Sequence, residues 1–127
     1  TRETLKKSLK FAKEINADTC QFFPLMIYPG TEAYEWAKKN NFLTTTDFRK
    51  GLTKDGLHNC VVNTPQLSTK DLVEFCDYAR KNYYLSPKYL CYMLLRLIRK
   101  PGELKKTLKS AATFAKYLFK KSGTTHS

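Results

Sequence analysis

The chain lacks any local arrangement of cysteines. Cys20, Cys60, Cys76 and Cys91 lie far apart and form no C-x-x-C pair, which argues against a local zinc or redox motif. They read as reduced thiols of a cytoplasmic protein, with Cys76 and Cys91 on apolar helix faces; the alternative is a cluster assembled from distant positions. Histidine is nearly absent: His126 lies in the tail, and His58 forms a lone H-x-C pair with Cys60. No P-loop, G-x-G-x-x-G, H-E-x-x-H or nucleophile elbow occurs, so no self-contained active site is expected. Asp71, Glu74 and Asp77 read as helix-start and solvent-face charges. Long apolar runs are also missing. The longest, "YLCYMLL" at 89–95, falls well short of the roughly 20 residues needed to span a bilayer.

Acid is scarce in one region. Residues 1–85 carry 13 Lys/Arg against 10 Asp/Glu, whereas residues 86–127 carry 10 against 1. The net charge of +12 therefore belongs mostly to the C-terminal third. A length of 127 residues with 42% hydrophobic and 13% aromatic residues fits one globular unit rather than a disordered chain. No initiating Met or signal peptide is present, and a helical pattern begins at the first residue. These features lead us to expect a piece of a longer polypeptide.

What is present is a series of helices around one apolar stretch. Leu5, Ser8, Leu9, Phe11, Ala12 and Ile15 recur at helical spacing, with Lys6, Lys7, Lys10 and Lys13 facing water. Asn16 to Asp18 end that helix. "TCQFFPLMIY" follows without polar alternation, which predicts a strand covered on both faces; Pro24 places it at an edge or a bulge. Pro29 and Gly30 end the strand, Thr31 caps a second helix, and Glu32 and Glu35 lie in its first turns. Ala33, Tyr34, Trp36 and Ala37 give that helix its apolar surface. Val61–Val62, within a short strand at Cys60 to Asn63, or the C-terminal helices are expected to cover the apolar stretch. Ser68 and Asp71 form a capping box that opens a helix to about Leu85. Ser86-Pro87 opens another, with Tyr89, Leu90, Met93, Leu94, Leu97 and Ile98 on a broad apolar face.

A last helix is expected from about 103 to 121, its apolar stripe bordered by Lys105, Lys106, Lys109, Lys116, Lys120 and Lys121. Three readings of it stand. It docks to the core with a solvated lysine face, it lies on an anionic membrane surface, or it neutralises nucleic-acid phosphate without sequence specificity. We expect no specific nucleic-acid partner.

The stretch "TRETLKKSLKFAKEINADTCQFFPLMIYPGTEAYEWAKKNNFL", followed by "VVNTPQLSTKDLVEFCDYARKNYYLSPKYL", resembles the C-terminal part of radical S-adenosylmethionine enzymes. It is similar to the branch that carries a cobalamin-binding domain, which includes Fe–S oxidoreductases and the anaerobic magnesium-protoporphyrin ester cyclase. The resemblance covers about residues 1–100. It implies an α+β, predominantly helical fold: the last β/α unit of a partial (β/α) barrel at 1–42, a loop with a short strand at 43–65 and a helical extension from 66, which the residue pattern carries to 121 before a disordered tail at 122–127.

The family's C-x-x-x-C-x-x-C signature, glycine-rich S-adenosylmethionine segment and cobalamin domain are absent from these residues. The resemblance therefore implies no cofactor held by this chain alone. It implies a parent enzyme using a [4Fe–4S] cluster, S-adenosylmethionine and, in that branch, cobalamin. The parent would generate a 5′-deoxyadenosyl radical for hydrogen abstraction, as an oxidoreductase or transferase. The partner of this chain would be the N-terminal part of the same polypeptide. Ligands gather at the C-terminal ends of barrel strands, which places Tyr28, Pro29, Gly30 and Thr31, together with Ile27, at the rim of the cofactor pocket. The chain is expected to complete the barrel edge and help close the substrate pocket, inactive alone. The rival expectation is a basic helical module that binds anionic membrane surfaces.

Overall fold

The computed structural model describes residues 1–47, 50, 60–100, 102, 109, 111, 115 and 118. Among them are helices α1 (Arg2–Ile15), α2 (Glu32–Lys39), α3 (Thr69–Tyr84) and α4 (Pro87–Arg99), and no strand. The chain is predominantly helical, in accord with that part of the sequence reading. Lys109, Ala111, Ala115 and Leu118 are also helical. The other residues of the helix expected at 103–121, and the tail at 122–127, lie outside the described residues, as does His58.

Local chemistry sets the helix boundaries. Asn16 closes α1 in the left-handed conformation, φ 53°, which asparagine tolerates better than most residues. The Thr31 hydroxyl accepts the Tyr34 N–H at 3.3 Å. At α3 the box is reciprocal: the Asp71 N–H reaches Ser68 Oγ at 3.1 Å, and the Ser68 N–H reaches Asp71 Oδ2 at 3.0 Å. Ser86 caps α4, with Pro87 in its first turn.

Two apolar clusters share α3. Leu9 of α1, Ala79, Tyr83 and Tyr84 of α3, Tyr89 of α4 and Leu118 are buried together, with Cys20, Phe22, Phe75 and Met93 against them. Ile27, Ala37 of α2, Cys60, Val62 and Val73 of α3 form the second, with Tyr34, Phe42, Leu43 and Leu72. Residues from both ends of the chain thus meet in one core. Only Leu9 of the expected α1 stripe is fully buried. Phe11 and Ile15 are exposed, because α3 covers the helix along one side.

The strand expected at 21–28 is not formed. Residues 19–28 carry no assigned strand, and Pro24 offers no N–H to a ladder. Both faces were expected to be covered, and only one is. Phe22, Pro24, Met26 and Ile27 turn inward, whereas Phe23, Leu25 and Tyr28 are 49%, 48% and 54% exposed. The second expected strand reduces to a single antiparallel bridge. Val62 pairs with Leu43 rather than with the apolar stretch, through Thr44 N–H to Val61 O at 2.9 Å and Asn63 N–H to Phe42 O at 2.7 Å.

Tyrosine hydroxyls hold the 17–20 segment in place of a sheet. Tyr83 donates to the Ala17 carbonyl at 2.6 Å and Tyr89 to the Asp18 carbonyl at 2.9 Å. Tyr84 donates to the Cys20 carbonyl and accepts the Cys20 N–H, both at 2.8 Å. Tyr92 and Arg96 both donate to the Asp18 carboxylate. Lys88 Nζ donates to the Lys13 and Glu14 carbonyls at 3.3 and 3.0 Å, at the end of α1 where the helix dipole favours a cation.

One charge assignment is corrected. Asp77 is not on a solvent face: its carboxylate accepts from Arg80 at 2.5 Å, and the two side chains are 15% and 9% exposed. Spacing of three places both on one side of α3, turned into the protein.

Two predictions follow from these ties. Tyr84→Phe leaves both polar groups of Cys20 without that partner and should cost about 1–3 kcal/mol, whereas Tyr92→Phe, at an exposed contact, should cost clearly less; urea unfolding measures both. Burial, with Tyr84 and Tyr83 nearby, pushes the Tyr89 hydroxyl up to about 12. The folded state then holds a proton that the unfolded state releases, so this contribution is intact below about pH 10 and is lost as pH rises towards about 12. Alkaline titration of unfolding midpoints should show this loss in the wild type and less of it in Tyr89→Phe.

Candidate functional site

The expected rim residues form a tight turn. Pro29 and Gly30 bend the chain, and the Thr31 N–H closes the bend on the Tyr28 carbonyl at 3.2 Å. The Thr31 hydroxyl donates to the same carbonyl at 2.7 Å. It thus caps α2 and locks the turn, and the hydrogen it donates is already committed. Gly30 has φ +84°, and a Cβ built there meets nothing within 4 Å. Glycine is therefore required by the backbone conformation, not by crowding.

Tyr28, Pro29, Gly30 and Thr31 are all exposed. They are brought together at the surface, close in sequence to the exposed Phe23 and Leu25. Trp36 of α2, 47% exposed, packs edge-to-face on Phe42 at 5.2 Å. The arrangement offers aromatic surface, a glycine open to close approach and the beginning of a helix.

Lys109 is helical and exposed; Lys105, Lys106, Lys116, Lys120 and Lys121 lie outside the described residues. The broad apolar face expected on α4 is only partly used: Tyr89 is buried and Met93 and Leu97 half-buried, while Leu90, Leu94 and Ile98 are exposed. Cys91 is exposed on the same helix, on the apolar face where it was expected. The opposite side of α4 is already occupied by the tyrosine corner.

The cysteines are distributed between the apolar clusters and the surface. Cys20 lies against one apolar cluster, Cys60 is buried in the other, and Cys91 is on the outside of α4. Among the described residues no three His, Cys, Asp or Glu side chains are grouped to hold a metal ion. Burial, with Asp77 and Cys60 adding smaller effects, pushes Cys76 up to about 11; burial also raises Cys60 and Cys20. Metal ligation needs the thiolate, which these environments disfavour.

Sequence reasoning missed the Asp18 corner. Tyr92 and Arg96, followed by desolvation acting the other way, hold the Asp18 carboxyl below its ordinary range. The signal was available as "YY" and "YLCY" on either side of a capped turn, but their common target lay about 70 residues away.

Comparison with known proteins gives one informative result. No protein-family model matches the chain, and no solved structure is detectably similar. It is similar to the uncharacterized methyltransferase PH0819 of Pyrococcus horikoshii, with 34% identity over 90 residues. That stretch makes up 71% of this chain and 19% of the relative. The chain is thus homologous to a limited part of a methyltransferase, and its matched region spans about a fifth of that protein's length.

Proposed function

We propose that the chain is the C-terminal part of a methyltransferase of the radical S-adenosylmethionine type, incomplete as a catalyst by itself. The observation that carries this reading is the 34% identity over 90 residues to an uncharacterized methyltransferase. The ordered "YPGTE" turn and "TPQLSTKDL" helix start point in the same direction. In this reading residues 21–28 become the edge strand of a barrel when the remainder of the polypeptide supplies a neighbour. Phe23, Leu25 and Tyr28 are then covered, and residues Tyr28 to Thr31 lie at the cofactor rim. The iron–sulfur cluster, S-adenosylmethionine and the branch's cobalamin belong to that remainder.

Elementary energetics supports the strand assignment. From Phe22 to Met26 alternate side chains turn in and out, as they do along a strand. Covering its outer apolar face by a sheet or a helix removes that surface from water, at about 25 cal/mol per Å². The Pro-Gly-Thr step contributes a bend that the chain adopts by itself, through two bonds to the Tyr28 carbonyl. Gly30 lets a ligand approach the backbone, while the exposed Tyr28 ring supplies a flat apolar surface.

The reading makes three demands on experiment. Amide hydrogen exchange at residues 21–28 should slow by at least about tenfold when the chain is joined to its N-terminal portion; equal exchange in the two forms would remove the edge-strand assignment. In that longer polypeptide, Tyr28→Ala and Gly30→Val should each weaken S-adenosylmethionine binding by about tenfold, a loss of about 1.4 kcal/mol, with the helical circular dichroism retained. Unchanged affinity in both variants would place the rim elsewhere. The 127-residue chain, supplied with iron and sulfide under anaerobic conditions, should develop no stoichiometric cluster absorbance. A stable cluster would contradict the division of labour proposed here.

A further inference from the structure

We propose that the outer face of α4 docks on an anionic lipid bilayer, lying in the interface rather than crossing it. The inference is independent of the enzyme reading. Leu90, Leu94, Leu95 and Ile98 are 51%, 60%, 53% and 69% exposed, and helical spacing places them together with the exposed Cys91. The other side of the helix is already filled by Tyr89 and Met93 in the tyrosine corner. A helix apolar on both sides has one side still to cover. Among the described residues no helix is long and apolar enough to cross a membrane, so the geometry that fits a bilayer is the interfacial one.

Charge selects the occupant. The first turn of α4 holds no acid, and Arg96 and Arg99 lie in its last turn, followed by Lys100. Asp18, the carboxylate described against this helix, is engaged by Tyr92 and Arg96 on the inward margin. Across residues 86–127 there are 10 basic side chains and 1 acidic one. A second copy packed on this face would bring two positive rims together, which opposes association. An anionic leaflet instead accepts the leucines at the acyl boundary while Arg99 and Lys100 extend to the phosphates. Lys88, at the start of α4, donates to the end of α1.

Co-sedimentation of the 127-residue chain with vesicles tests this. Phosphatidylcholine vesicles containing about a third phosphatidylglycerol should bind the chain and pure phosphatidylcholine should not, with binding weakened as salt rises from about 0.05 to 0.5 M. Leu94→Asp with Ile98→Asp should lower the bound fraction by at least about tenfold, as should Arg99→Glu with Lys100→Glu. Phe23→Asp with Leu25→Asp, on the other bare surface, should leave it unchanged. Ile98→Trp in a Trp36→Phe background keeps the face apolar, and its emission should shift to the blue on adding anionic vesicles. The proposal is overturned if no vesicles bind, if the Leu94/Ile98 variant binds as the wild type does, or if the Phe23/Leu25 variant loses binding equally. It is also overturned if sedimentation velocity shows that α4 mediates self-association.

Discussion

The satisfaction of backbone groups between Ala17 and Cys20 is the constraint on which the fold depends. The chain leaves a helix there and enters an extended run, so its carbonyls lose helical partners before gaining any from a sheet. Tyr83, Tyr84 and Tyr89 supply those partners from the far end of the sequence. Their rings pack on one another with centroids 5.1 to 5.4 Å apart, so each hydroxyl is aimed by a body that is itself packed. The same residues contribute apolar area and fixed polar ends, which suits tyrosine. A phenylalanine corner would match the burial and leave the bend without partners.

That corner explains why the C-terminal helices are inseparable from the first 42 residues. The α3–α4 turn, with Ser86 as cap and Pro87 after it, sets Tyr83 and Tyr84 against Tyr89. The clasp closes over the start of the extended segment, and α3 passes beneath both clusters. Docking of α1 on α3 then follows from Leu9, with the Arg2–Asp71 pair at 2.5 Å adding little at so exposed a position. Orientation of residues 21–28, and of the Pro-Gly-Thr turn beyond them, is therefore imposed by side chains about 65 residues later.

Much of this was legible locally. Ser68 with Asp71, Ser86 with Pro87, Thr31 and Asn16 mark helix ends through chemistry confined to a few residues, and those ends lie where the residues put them. The faces were less legible. Phe11, Leu90, Leu94 and Ile98 have the spacing of core residues, but periodicity records only that a face is apolar and not what covers it. "QFFPLMIY" illustrates the same limit: composition marks it as strand material, while pairing depends on a neighbour. Tyrosine hydroxyl targets and the inward turn of Asp77 were invisible because they depend on tertiary placement.

The two bare apolar surfaces differ in the partner they favour. Around Phe23, Leu25, Tyr28 and Trp36 the surface belongs to extended chain and a short helix with Glu32 and Glu35 at its start, so charges of both signs lie nearby and Lys38 and Lys39 close the helix. In the proposed reading this surface gains apolar cover from another stretch of polypeptide. On α4 the backbone bonds are already made within the helix, and what is left is leucine and isoleucine beside positive charge. Such a face gains from any apolar medium with an anionic border and has no need of strand pairing. The polypeptide-seeking surface therefore lies beside the Pro-Gly-Thr turn, while the lipid-compatible one lies on the helix whose inward side carries the tyrosine clasp. Helix α3 contributes to the clusters beneath both.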